Sequence, residues 1–204
     1  MHIFKWLLGE KDKAEKQANI ANYCQWRSDS NEENDKKNYK ENGTIGRRPS
    51  VRGIIIKDGK IAMIHSLKYD YYKLPGGGIE EGEAHEATLI REVKEESGLV
   101  VKPESIREFG YVRRIEKGKI EDIFIQDNYY YLCEAEEITE QKLDDYEAEE
   151  EFTLEYVFPE YAIERNRNGD HKDKVVSQTF SGMLERENRV LELVINEIMH
   201  REGE

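Results

Sequence analysis

Apolar positions cluster unevenly along this chain, and their spacing divides it before any residue is given a role. Ile3, Phe4, Trp6, Leu7 and Leu8 open a stretch, running to Trp26, that predicts an amphipathic helix. Arg27 to Gly46 is polar and charged, which predicts a linker or irregular surface segment. Apolar patches become dense from Pro49 onward, so the main domain is expected to cover residues 47–204, with residues 1–46 as a helical extension and linker.

Within that domain, Val51–Lys57 and Lys60–Leu67 flank Asp58-Gly59, a pair suited to a tight hairpin turn because both tolerate positive φ. A glycine-rich loop, Pro75 to Gly78, precedes a helical stretch from Ala84 to Ser97. Ala87, Ile90, Val93 and Lys94 lie near one face of it, and Gly98 is placed to end it. Strands are predicted at Ile106–Ile115, Ile120–Cys133 and Phe152–Phe158, followed by a short helix beginning at Pro159. From Thr179 to His200, Phe180, Leu184, Leu191, Val194, Ile195 and Ile198 recur at helical spacing. The order of elements predicts an α/β (α+β) sandwich with a mixed sheet and a long terminal helix.

The formal charge of −13 argues against general nucleic-acid binding, which needs a basic face, and against an anionic membrane surface. A phosphate-bearing small molecule remains admissible if cations screen the negative field. Cys24 and Cys133 have no metal-binding spacing and read as reduced thiols; no run is long enough to span a bilayer, so a cytoplasmic location is expected.

The informative segment is LPGGGIEEGEAHEATLIREVKEESGLV, Leu74 to Val100. Glu92, Glu95 and Glu96 stand at i, i+3 and i+4, so a helix gathers three like charges on one face. They repel unless a cation lies between them, and oxygen-only donors suit hard ions such as Mg²⁺, with Mn²⁺ as substitute. Glu83 adds a further carboxylate, and the planar fork of Arg91 can orient its neighbours. Taken alone, REVKEE reads as a solvated helix face. The full spacing does not: Gly77, Glu83, Arg91, Glu92, Val93, Glu95, Glu96, Gly98 and Leu99 satisfy GX5EX7REUXEEXGU at every fixed position.

At these residues the chain resembles the Nudix hydrolase family. The resemblance is complete over the box and looser over roughly residues 49–165, and it implies a Nudix fold with a mixed sheet between helices. It implies Glu92, Glu95 and Glu96 as metal ligands, the Gly76 carbonyl as another, Glu83 as support and Arg91 as an orienting partner. The general base varies in the family; Glu92 and a loop glutamate, here among Glu147, Glu149, Glu150 and Glu151, are both candidates. The implied reaction is metal-dependent attack of water at phosphorus, on a nucleoside triphosphate or a nucleoside diphosphate linked to another moiety.

Other features say less. Arg52, Lys73, Arg113 and Arg114 are candidates to face substrate phosphates, and ordinary surface charge is an equal alternative. The tyrosines at 69, 71, 72 and 129–131 suggest base stacking less than sheet packing. The Ile3–Leu8 patch is a candidate homodimer contact, or packs on its own domain. Positions 114–117 are Arg, Ile, Glu and Lys, so the tyrosine or proline marks of family specialists are missing. Two rivals stand beside the hydrolase: a nucleotide-sensing module without catalysis, and an isomerase, which would want a cysteine near the metal.

Overall fold

The computed structural model describes residues 31–172 and 178–199. The helix expected before Trp26, its apolar patch and Cys24 lie outside the described residues.

The turn at Asp58 and Gly59 forms as expected, with φ of 52° and 71°. The strand before it is divided. Ser50–Ile54 (β3) runs parallel to Ile123–Leu132 (β9), whereas Ile56–Lys57 (β4) turns back antiparallel on Lys60–Ser66 (β5). The unbroken apolar run thus serves two sheets, which is why periodicity alone could not locate the break.

The larger sheet is mixed. β9 pairs antiparallel with Arg107–Glu116 (β8), and Asn31–Asp35 (β1) and Ile45–Arg47 (β2) run parallel to β8 and β9 respectively. These last two strands come from the segment expected to be linker. Their pairing uses backbone groups offered by neighbouring strands, which a polar sequence does not reveal. The second sheet is antiparallel, with β5 central between β4, Tyr71–Lys73 (β6) and Phe152–Val157 (β11). Leu99–Val101 (β7) and Ala135–Ile138 (β10) form a separate antiparallel pair.

The sheets have apolar material on both faces. On one side, Ile61, Met63, Tyr72, Val112 and Tyr130 pack against two helices, Pro159–Asn168 (α3) and Gln178–Val194 (α4). On the other, Val51, Ile55, Ala62, Tyr131 and Cys133 pack against His85–Ser97 (α1). Burial on both faces explains the continuous apolar run of β5. The chain is therefore a mixed sheet arrangement between helices, with a long C-terminal helix, as the sequence predicted.

α1 has no side-chain cap at Ala84 and ends at Gly98, which takes φ 74° and donates its N–H to the Lys94 carbonyl. Its buried stripe is Leu89, Val93 and the Glu96–Ser97 step; Ala87 and Lys94 are exposed. The expected face shares Val93 with the buried one and is otherwise turned from it by about a quarter turn. Leu89 offers more apolar area than Ala87, and Glu96 is drawn inward by a cation. Sealing Leu89 and Val93 from water stabilises this docking by roughly 1.5–3 kcal/mol for each side chain.

Candidate active site

The loop at residues 75–78 leaves β6 and is laid along β3. Val51 N–H donates to Gly77 O (3.0 Å), Gly53 N–H to Pro75 O (2.8 Å) and Ile79 N–H to Pro49 O (3.0 Å). Gly76 takes φ 136°, and a Cβ there would run into the Val51 carbonyl. At Gly77 a Cβ would overlap the Glu92 carboxylate. The missing side chain at 77 is what lets α1 bring Glu92 against the loop.

Around Arg91 three of the expected carboxylates converge. Its Nε and one terminal nitrogen grip Glu83 at 3.0 and 2.8 Å, while the other terminal nitrogen reaches Glu92 at 2.7 Å and Glu95 at 3.1 Å. Arg91 holds the Glu83 carboxyl down to about 2. Burial pushes the Glu92 carboxyl above its ordinary value; Arg91 opposes this, and Glu96 and Glu95 reinforce it. Three carboxylates against one guanidinium leave surplus negative charge at this spot.

Glu96 points the other way, into the protein. It is 2% exposed and bonds to Lys73 Nζ at 2.6 Å and to the Gly76 N–H at 2.9 Å. Burial pushes its carboxyl up, but Lys73, Arg52 and the Gly76 N–H outweigh that and leave it below the usual carboxylate range. Arg52 donates to the carbonyls of Gly76 and Leu74. Lys73 and Arg52, candidates for substrate phosphates, thus make contacts that secure Glu96 and the loop. Arg113 pairs with Asp127 at 2.7 Å.

The chain returns to α1 after β10. Thr139 N–H donates to Gly98 O (2.7 Å), Lys142 N–H to Glu95 O (2.8 Å), and Gln141 to Glu96 O, so carbonyls left over at the helix end are satisfied. The short helix Asp145–Glu149 (α2) follows, closed by a capping box in which Asp144 and Glu147 exchange bonds. This carries Glu147 against Glu96. Burial, then the Glu96 charge, push the Glu147 carboxyl up to about 7.

The four loop candidates are now distinct. Glu149 is exposed on Lys68 (2.8 Å), Glu150 is buried under Tyr71 OH (2.8 Å) and Ser66, Glu151 is exposed, and Glu147 is set against the box carboxylate Glu96. The pattern Asp144-x-x-Glu147 is a readable capping signal, but it says nothing about what the helix packs on.

The donor set fits a hard divalent cation: oxygen donors only, with Arg91 supplying positive charge among them. Among the described residues, no group of three or more His, Cys, Asp or Glu side chains already surrounds an ion-sized space. Cys133 is buried in the α1 core and its thiol is pushed up to about 12, so it is no reactive partner for this site.

A family model described as NUDIX domain matches residues 46–178. The chain belongs to the Nudix family. Over 60 residues it is 43% identical to an ADP-ribose pyrophosphatase of Methanocaldococcus jannaschii, covering 28% of this chain and 36% of that protein. Over 66 residues it is 39% identical to an RNA pyrophosphohydrolase of Hydrogenovibrio crunogenus, covering 32% of this chain and 39% of that protein. The matches therefore span under half of the length of these two relatives. Among solved structures, a NUDIX hydrolase from Nitrosomonas europaea is similar at 15% identity and a TM-score of 0.47, over 70% of this chain and 91% of that one. No helix among the described residues is long and apolar enough to cross a membrane.

Proposed function

We propose that this Nudix domain, residues 47–204, is a pyrophosphohydrolase that uses water to cut a phosphoanhydride bond in a nucleoside triphosphate or a nucleoside diphosphate linked to another group. The observation that carries the reading is the convergence of Glu83, Glu92 and Glu95 on one cationic position, with Glu96 bonded to the glycine loop and Glu147 against Glu96. Names of relatives that match over part of their length agree with a pyrophosphate bond as the target.

Glu92, Glu95, Glu96 and the Gly76 carbonyl would hold Mg²⁺, or Mn²⁺ in its place, with Glu83 in support. Glu96 retains acceptor capacity beyond its two bonds, since a carboxylate offers about four lone-pair sites. A bound divalent cation supplies charge neutralisation on phosphate oxygens and acidifies water. Arg91 keeps the carboxylates in register. The water proton passes to a carboxylate, and Glu147 and Glu92 are the two groups that burial has made better acceptors than an ordinary glutamate. The products are two phosphate-bearing fragments.

A panel of nucleoside triphosphates, ADP-ribose, nucleotide sugars and dinucleoside polyphosphates tests this with Mg²⁺ and with chelator. Release of phosphorylated products only with metal supports the reading. Metal-dependent binding of a member without turnover of any would replace it with the sensor.

A further inference from the structure

Helix α4 begins where the family match ends, at residue 178, yet it reaches the loop that carries Gly76. Glu187, on the sheet-facing side of α4 and fully buried, accepts the Leu74 N–H at 3.0 Å. Leu74 stands two residues before Gly76. Arg186, also buried, donates to Glu187 at 2.6 Å and to Asn128 and Gln126 of β9 at 2.7 and 3.2 Å. The loop's amide is thus tied through two charges to the central strand.

A buried ion pair is a poor way to gain stability. Withdrawing two charges from water costs several kcal/mol per ion, and apolar replacements are often neutral or better. A backbone N–H in this place needs only one acceptor, and a neutral oxygen would do. What the charged pair adds is a fixed position: the Leu74 amide is pulled towards α4 while Arg52 grips the Leu74 and Gly76 carbonyls from the β3 side. The segment before the glycines is held from both flanks.

We infer that Glu187, oriented by Arg186, is a positioning residue that fixes the Leu74–Gly76 segment, and with it the Glu96 carboxylate bonded to the Gly76 N–H, in place for the metal, a role that rests on the hydrolase reading above. It touches no reacting atom. Its effect is on metal affinity through the loop.

The test is Mn²⁺ binding to the full chain, followed by electron paramagnetic resonance, together with hydrogen exchange at the Leu74 and Gly76 amides in metal-free protein. Four proteins are compared: the parent, Glu187→Gln, Arg186→Met with Glu187→Met, and Glu95→Gln. The double methionine variant removes both charges while filling their volume, so it is expected to fold. Loss of a supporting bond behind a metal ligand typically weakens binding about 10–100-fold. That loss is expected in the double variant, with faster exchange at Leu74, while Glu187→Gln, less stable because Arg186 loses its counter-charge, keeps an acceptor oxygen for Leu74 and binds Mn²⁺ within about threefold of the parent.

A folded double variant with parent-like Mn²⁺ affinity and Leu74 protection overturns the positioning role and leaves the hydrolase reading standing, provided Glu95→Gln binds weakly. A parent protein that binds no Mn²⁺ overturns both.

Discussion

Lys73 Nζ lies 2.6 Å from Glu96 Oε1, and both side chains are almost sealed from water. Breaking such a pair from one side leaves a buried charge without compensation, which costs about 3–5 kcal/mol. Lys73→Met is therefore expected to lower unfolding free energy by roughly that amount. Denaturant titration measures it; a loss below about 1 kcal/mol would show that Glu96 finds another partner or protonates.

Gly77 answers to Glu92 as Lys73 does to Glu96. Because a Cβ at 77 would overlap the Glu92 carboxylate, Gly77→Ala should move that side chain and spoil metal geometry. Turnover is expected to fall about 100-fold, since an ångström of misplacement has that effect. Thermal unfolding should change little. Equal turnover in the alanine variant would show that Glu92 is not needed in this position.

Among the acidic residues before β11, Glu147 and Glu149 separate clearly. Glu147 is buried against Glu96, and Glu149 sits in solvent on Lys68. Glu147→Gln is expected to lower kcat by about 10²–10⁴-fold with the fold intact, the range for a positioned proton acceptor. Glu149→Gln should match the parent. Steady-state rates on the best substrate of the panel decide the matter; a Glu147→Gln enzyme of full activity assigns the proton to Glu92.

The parts of the site that could be read from sequence are those whose partners lie within a few positions. Glu83, Arg91, Glu92 and Glu95 meet through the loop–helix geometry of one contiguous segment, and α1 fell within a residue of its predicted span. The face of α1 was misread because Glu96 belongs to the inside only by virtue of Lys73, 23 positions away. Glu147 reaches the site through contacts of residues 139–142 with the end of α1 and the antiparallel pairing of Phe152 with Ser66, which no local pattern announces. Glu187 reads as an ordinary helix charge until α4 is placed on the sheet. Strands β1 and β2 escaped for the opposite reason: their pairing is backbone to backbone and asks little of side chains.

On the proposed reading Glu92, Glu95 and Glu96 hold the reaction's metal, with Glu83 in support. The most direct measurement compares product formation by Glu95→Gln and Glu149→Gln with that of the parent, at saturating Mg²⁺ and on one panel substrate. Glu95 is partly exposed and bears no part of the core, so its variant should fold normally. A loss of at least about 100-fold is expected for Glu95→Gln, in keeping with several kcal/mol from a bound metal, and none for Glu149→Gln. Near-parent turnover by folded Glu95→Gln would contradict that reading.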